Sequence, residues 1–108
     1  MSETDNGKAL QITLPEKTAV RQLGTNHMHM FLGGLGSNAK MLYDRVGLGV
    51  DPFGPDNIVF ASPGALTGTN APTACRTEIT TKSPLTGIVG TGNLGGTWGQ
   101  ALKQAGYD

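Results

Sequence analysis

The chain has 108 residues, which is enough for one domain with a single modest core. Eight basic residues balance eight acidic ones, so the sequence offers no basic surface for nucleic acid or for an anionic membrane, and neither partner is expected. Charged residues make up only 15% of the chain, below the roughly 25% usual for soluble domains, which indicates surface that is covered in a larger assembly.

The first eight residues, 1–8, are polar and are predicted to be disordered. They lack the basic-then-apolar order of a secretory signal. No apolar run approaches the roughly 20 residues that a membrane helix requires. We therefore expect a cytoplasmic location.

Two short strands are predicted next. Leucine and isoleucine alternate with polar residues over 10–14, as in a half-buried strand, and a second strand is predicted over 18–23. Pro15 ends the first strand, and residues 15–17 favour a hairpin turn between the two.

A helix is predicted over 37–46, where apolar residues recur at helical spacing. Either Ser37 or Asn38 can serve as its N-cap, and Gly47 can end it.

The segment that opens this helix, Gly34-Leu-Gly36-Ser-Asn-Ala39, also fits the G-x-G-x-x-G/A fingerprint of dinucleotide-binding sites. No convincing parallel strand precedes it, and no strand ending in an acidic residue follows at the required distance. We therefore interpret the segment as a tight turn into a helix, with glycines that allow close packing.

The second half of the chain predicts a further turn, two strands and a helix. These are a turn over 51–56, a strand over 58–61, a strand over 77–81 that Pro84 stops, and a helix over 96–105 that Gly106 ends. The predicted order ββαββα indicates an α+β fold, with a mainly antiparallel sheet and two helices in a single domain over residues 1–108.

The histidines and the cysteine of the sequence do not predict a metal site or a disulfide. His27 and His29 can share one face of an extended segment, but two histidines without a third ligand do not make a metal site. Cys75 is the single cysteine, so it cannot form an internal disulfide or hold a cluster or a zinc ion by itself.

The best candidates for binding chemistry are Arg76 and Asn93. Arginine offers a fork of donors to a phosphate or a pterin-like ring, and asparagine offers an oxygen to a cation or its NH₂ group to an oxyanion. Together with the backbone amides of Gly95 and Gly96, which precede the last predicted helix, they can form one anion pocket. The alternative is that Arg76 makes a surface ion pair and Asn93 is an N-cap, and the residue types alone leave both open.

Several segments in the same order resemble the N-terminal domain of the tungsten-pterin aldehyde:ferredoxin oxidoreductase family. They are Phe31–Gly36, Leu42–Asp44, Asp51–Asn57, Leu66–Pro72, Thr81–Gly87 and Leu102–Asp108. The similarity covers about three quarters of the chain, while the first thirty residues match only as a pair of strands.

The resemblance implies a platform, one structural half of that family's N-terminal domain, on which a tungsten (or molybdenum) bis-pterin lies. It further implies a magnesium ion that joins the pterin phosphates and a neighbouring 4Fe-4S cluster that passes electrons to ferredoxin. By position, Arg76 matches the arginine between pterin and cluster, and Asn93 matches the residue at the magnesium-phosphate site. Gly95 matches a backbone position that contacts the pterin, and Gly96 follows it.

The family's cluster cysteines and its proton-transferring residues lie in later domains, so this chain is not expected to ligate the cluster or to be active alone. The resemblance implies the remainder of an oxidoreductase, or a second subunit, as partner. Leu35 stands where aldehyde oxidoreductases often have arginine, and Gly34-Leu-Gly-Ser-Asn38 is closer to the benzoyl-coenzyme A reductase branch, so the substrate stays open. The alternative is a non-catalytic half-domain that homodimerises or packs on a partner.

Overall fold

The computed structural model describes residues 7–14, 17–23 and 27–108, which contain five strands and three helices. In chain order these are β1 Lys8–Thr13, β2 Lys17–Gln22, α1 His27–Phe31, α2 Gly34–Arg45, β3 Phe60–Pro63, β4 Thr77–Lys82, β5 Val89–Leu94 and α3 Trp98–Gln104. Strands β1 and β2 form one antiparallel sheet, and β3, β4 and β5 form a second one in that order. The predicted α+β class with antiparallel sheets is confirmed.

The hairpin predicted near the N-terminus is present, with Lys8 opposite Gln22 and Thr13 opposite Lys17. Of the residues 1–8 predicted to be disordered, residues 1–6 lie outside the described residues, as do the turn residues 15–16, while Lys8 is the first residue of β1. The expectation that β1 is half-buried is wrong, because Leu10 is 41% and Ile12 is 61% exposed. The alternating pattern marks a face that the described residues leave largely uncovered.

Helix α2 begins three residues earlier than predicted, and its N-cap is Gly33 rather than Ser37 or Asn38. Gly33 has φ 76°, a left-handed conformation that favours glycine. The side chains of Ser37 and Asn38 are buried inside the fold instead. The Ser37 hydroxyl lies 2.6 Å from Nε2 of His27 on the unpredicted helix α1, and the Asn38 amide donates to the Glu78 carbonyl at 2.9 Å.

The glycines at the start of α2 permit close packing, as the sequence predicts. A Cβ atom added at Gly36 would lie 2.5 Å from the Phe31 carbonyl oxygen, so only glycine fits there. Gly33 forms an isolated bridge with Gly64, and the Gly34 amide donates to the Ser62 hydroxyl at 3.1 Å. This segment therefore ties α2 to the end of β3.

The second sheet differs from the prediction in two ways. Strand β3 lies two residues later than predicted, and β5 was not predicted at all. Strand β5 contains two glycines and an asparagine, which have low strand propensity. Its whole length nevertheless pairs with the β-branched strand β4, from Thr77 opposite Leu94 to Lys82 opposite Val89. Hydrogen bonding to β4 therefore outweighs the low intrinsic strand propensity of the β5 residues.

The core of the described residues is small and largely polar. Leu42 and Phe60 are its buried large apolar side chains. The fully buried side chains with under 2% exposure include Asn38, Thr77 and Thr80. Large apolar side chains stay exposed across the domain, which fits surface that another polypeptide covers. The longest described helix, α2, has 12 residues, and none in these ranges has the length and apolar character to span a bilayer.

Candidate cofactor site at the β4–β5 edge

The candidate site residues come together through the register of β4 and β5. Glu78 lies directly opposite Asn93, and Thr77 opposite Leu94, so Arg76 and Gly95 meet where the two strands begin and end. In an antiparallel pair, residues opposite each other and residues two apart share one face of the sheet. Arg76, Glu78, Asn93 and Gly95 therefore form one group, at an edge strand of the sheet.

The Arg76 side chain lies along the backbone at Gly95. A Cβ atom added at Gly95 would lie 3.5 Å from Nη1 and 3.7 Å from Cζ of Arg76, which is ordinary van der Waals contact. The Arg76 carbonyl accepts a hydrogen bond from the buried Thr67 hydroxyl at 3.1 Å, which holds the start of β4.

No carboxylate of the described residues neutralises this guanidinium. The salt bridges within those residues join Lys40 to Asp44 and Lys103 to Asp108. The alternative interpretation, in which Arg76 makes a surface ion pair, is therefore wrong for the described part of the chain. Its donors are exposed and available to an anion.

Asn93 lies on β5 and does not cap a helix, so the N-cap alternative and the expected helix entry are both wrong. The N-cap of α3 is Thr97. The Asn93 amide nitrogen donates to Oε2 of Glu78 at 2.6 Å. Its amide oxygen has no hydrogen-bond donor among the described residues, and such an oxygen is a ligand that magnesium accepts.

Glu78 is the site residue that sequence reasoning missed. It is the only acidic residue in the strand Thr77–Lys82, a signal that is visible in the sequence, but its meaning depends on β5 lying opposite it. A carboxylate repels a bare phosphate, whereas a divalent cation placed between the two attracts both. The pair of Glu78 and Asn93 thus suits a cation better than an anion.

Gly95 and Gly96 form the exposed link between β5 and α3. Gly96 has φ 93°, which only glycine adopts without strain, and a Cβ atom there would meet nothing within 4 Å. Glycine is therefore required at position 96 by the backbone conformation of the turn, not by lack of space. At Gly95 no positive φ is involved, and the Arg76 guanidinium lies where a side chain would point.

His27 and Cys75 lie outside this group. The ring of His27 lies 5.3 Å from that of Phe31, centroid to centroid, and its Nε2 contacts Ser37. The side chain of His29 lies outside what the structure describes. Cys75 is a free, partly exposed thiol. Within the described ranges, His, Cys, Asp and Glu form no group of three or more placed to hold a metal ion.

Comparisons with known proteins identify the family of the chain. The family described as aldehyde ferredoxin oxidoreductase, N-terminal domain, matches residues 9–108. The chain is 38% identical over 103 residues to the tungsten-containing aldehyde ferredoxin oxidoreductase of Thermococcus kodakarensis, which covers 94% of this chain. It is 45% identical over 78 residues, or 72% of its length, to the protein of the same name from Pyrococcus furiosus.

A solved structure is also similar over nearly the whole chain. It is a chain of the active-site complex BamBC of benzoyl-coenzyme A reductase in complex with 1,5-dienoyl-coenzyme A, with a TM-score of 0.90 and 38% identity over 97% of this chain. The chain spans 17% of the Thermococcus protein, 13% of the Pyrococcus protein and 16% of the solved chain. The resemblance found in the sequence is thus confirmed: the chain belongs to the aldehyde ferredoxin oxidoreductase N-terminal domain family.

Proposed function

We propose that this chain is the tungstopterin-binding platform of a cytoplasmic, ferredoxin-linked oxidoreductase. The observation that carries the proposal is the group at the β4–β5 edge, where Arg76 and Asn93 share one face of the sheet. Among the described residues, the Arg76 guanidinium has no ion-pair partner and the Asn93 amide oxygen has no hydrogen-bond donor. Family membership and the tungsten in the relatives' names support the choice of cofactor.

The residues present suit a bis-pterin with magnesium-linked phosphates. Arg76 would donate its fork of hydrogen bonds to the pterin or its phosphate, while the exposed backbone at Gly95 and Gly96 would lie against the ring system. The Asn93 oxygen would bind the magnesium ion, and Glu78 would hold the amide in that orientation. When bound, the tungsten (or molybdenum) centre would supply the change of oxidation state that the reaction needs.

Electron transfer requires a further polypeptide. A 4Fe-4S cluster takes cysteine ligands, and this chain has one cysteine. We therefore propose that the cluster, the contact with ferredoxin and the substrate pocket belong to the remainder of the enzyme or to a second subunit. The reaction would be oxidation of an aldehyde to a carboxylic acid, or a related redox reaction at low potential.

Substitutions at Arg76 and Asn93 test the platform in the assembled enzyme. Charge-assisted hydrogen bonds are worth about 1.5–3 kcal/mol each, so Arg76→Ala should lower tungsten occupancy or electron transfer by roughly tenfold or more. Arg76→Lys should retain only part of the tungsten occupancy and electron transfer, because lysine lacks the bidentate fork. Asn93→Leu removes a polar ligand and should lower cofactor retention.

The measurements are tungsten per polypeptide and the melting temperature of each variant. Lys40→Ala is the control, since it removes an exposed cation of α2 that pairs with Asp44 and does not belong to the Arg76 group, so it should leave tungsten unchanged. Full tungsten content in the Arg76 and Asn93 variants would show that the cofactor does not lie on this face. Tungsten content that falls only in step with the melting temperature would indicate a purely structural role for both residues.

Glu78 gives a separate prediction, because it acts through Asn93 and through its charge. Glu78→Ala should lower the magnesium retained per polypeptide by about tenfold, since both the charge and the anchor of the amide are lost. Glu78→Gln keeps an acceptor for the Asn93 amide and should have a smaller effect. Asp56→Ala, in an exposed turn, is the matched control. Magnesium that stays constant in both Glu78 variants would contradict the assignment.

A further inference from the structure

A second feature of the structure lies between the β1–β2 hairpin and the elements α2, β3 and α3. It is a cavity of about 600 Å³, lined mainly by apolar side chains. These include Leu10, Ile12, Met41, Val59, Trp98 and Leu102. Several of them are also widely exposed, Val59 by 65% and Trp98 by 48%, so the cavity opens to solvent.

Two arginines converge at this cavity. Nη1 of Arg21 donates to the side-chain oxygen of Gln11 at 3.1 Å, and Nη2 of Arg45 donates to the same oxygen at 3.3 Å. Partial burial and the neighbouring charge of Arg21 lower the pKa of Arg45. Two like charges that share one neutral acceptor leave most of their donors unused and repel each other.

The acidic residues along the cavity do not relieve this repulsion. Asp44 pairs with Lys40 at 2.9 Å, and Asp108 pairs with Lys103 at 2.6 Å. No carboxylate of the described residues lies within salt-bridge distance of either arginine. A carboxylate placed between the two guanidiniums would accept hydrogen bonds from both and cancel the repulsion.

The nature of the occupant follows from the apolar surroundings. Cavities of this volume can hold a small ligand, but here the lining residues are side chains that a domain would normally bury in its own core. The described residues bury only two large apolar side chains, Leu42 and Phe60. The relatives are about six times longer than the segment they share with this chain, so they contain polypeptide that can complete this core.

We propose that the cavity is a docking site for a polypeptide segment of the remainder of the enzyme. This segment inserts a carboxylate between Arg21 and Arg45 and large apolar side chains between the hairpin and α3. The docking site is separate from the Arg76 group, so it does not depend on the cofactor assignment. If the cofactor does not bind at the Arg76 group, the docking site can still be tested, and the reverse is also true.

The single tryptophan of the chain, Trp98, lines the cavity and reports its occupancy. The probes are the neutral-ended peptides acetyl-Leu-Glu-Leu-amide and acetyl-Leu-Gln-Leu-amide, titrated against the 108-residue chain while Trp98 fluorescence is recorded. The glutamate peptide should bind at least about fivefold more tightly than its glutamine analogue, and this preference should shrink in about 0.5 M NaCl.

Substitutions test whether Arg21 and Arg45 cause the preference for the glutamate peptide over the glutamine peptide. Arg21→Gln combined with Arg45→Gln should abolish it, and Arg21→Gln alone should reduce it, which keeps the test valid if the double variant unfolds. Arg76→Gln is the matched control, because Arg76 does not line the cavity, and it should keep the full preference. Melting curves of each variant verify that the chain is folded.

Three results would overturn the proposal. The first is equal binding of the two peptides, or a preference that persists in the folded double variant. The second is hexanoate binding as tightly as the glutamate peptide, which would make the cavity a site for free carboxylic acids. The third is a dimer, seen by light scattering, that the double variant converts to a monomer while neither peptide binds, which would make a second copy the occupant.

Discussion

Replacing Lys103 by methionine is expected to lower the free energy of unfolding by about 3–5 kcal/mol. Lys103 and Asp108 form a salt bridge of 2.6 Å in which the side chains are only 9% and 1% exposed. Methionine fills the space but leaves the Asp108 carboxylate buried without its cation, and an uncompensated buried charge is costly. Urea unfolding at neutral pH measures the loss.

The exposed pair of Lys40 and Asp44 provides the control. Its side chains are 40% and 46% exposed, so Lys40→Met should cost about 0.5 kcal/mol or less. If Lys103→Met unfolds the chain completely, Lys103→Arg keeps the charge and should retain most of the stability. Adding Asp108→Asn to Lys103→Met should recover part of the loss. Equal effects of the Lys103 and Lys40 substitutions would contradict a buried ion pair.

This pair matters for the fold because Asp108 joins three parts of the chain. Its carboxylate also accepts the Gly7 amide at 2.5 Å, its amide donates to the Lys8 carbonyl at 2.8 Å, and its carbonyl accepts the Ser62 hydroxyl at 2.9 Å. The β1–β2 hairpin is therefore held against β3 by polar contacts at one residue. Weakening them should loosen the hairpin first, which hydrogen exchange of β1 and β2 amides would detect.

Gly99→Ala should be the second most damaging substitution, with a loss of about 2–3 kcal/mol. Gly99 lies in α3, where alanine normally gains about 1 kcal/mol over glycine. Here a Cβ atom would overlap with the Thr77 hydroxyl and lie 3.1 Å from a methyl carbon of Thr67. Both threonines are buried, at 1% and 4% exposure, so neither can move aside easily.

A double-mutant cycle with Thr77→Ala separates steric overlap from other effects. Removing the Thr77 hydroxyl should restore part of the stability of Gly99→Ala, because the overlapping atom is gone and that hydroxyl has no hydrogen-bond partner among the described residues. Gly92→Ala is the matched control, since a Cβ atom there meets nothing within 4 Å. Thermal unfolding of the single and double variants measures the cycle. If the two substitutions have additive effects on stability, Gly99 of α3 does not pack directly on Thr77 of β4.

The candidate site shows how far residue type alone can lead. Arg76 and Asn93 were recognisable because arginine and asparagine supply the donors and oxygens that phosphates and cations need. The secondary structure around them and their hydrogen-bond partners could not be predicted from residue type. Asn93 was expected before a helix, since the glycine-rich sequence around it resembles a loop, yet it pairs with Glu78 on a strand. The residue that orients Asn93 is visible only once β5 is in register with β4.

The sequence by itself determined the family, the α+β class, the hairpin and helix α2 apart from its first three residues, because these depend on motifs, local periodicity and conformational preference. Only the tertiary structure decided what depends on pairing between distant segments. Strand β5 forms because β4 provides its hydrogen-bond partners, and Ser37 and Asn38 are buried because they find polar partners inside the fold. Arg21 and Arg45, which share the Gln11 side-chain oxygen, are separated by 23 intervening residues. Local energies are small and nearly balanced, so such long-range contacts determine the outcome.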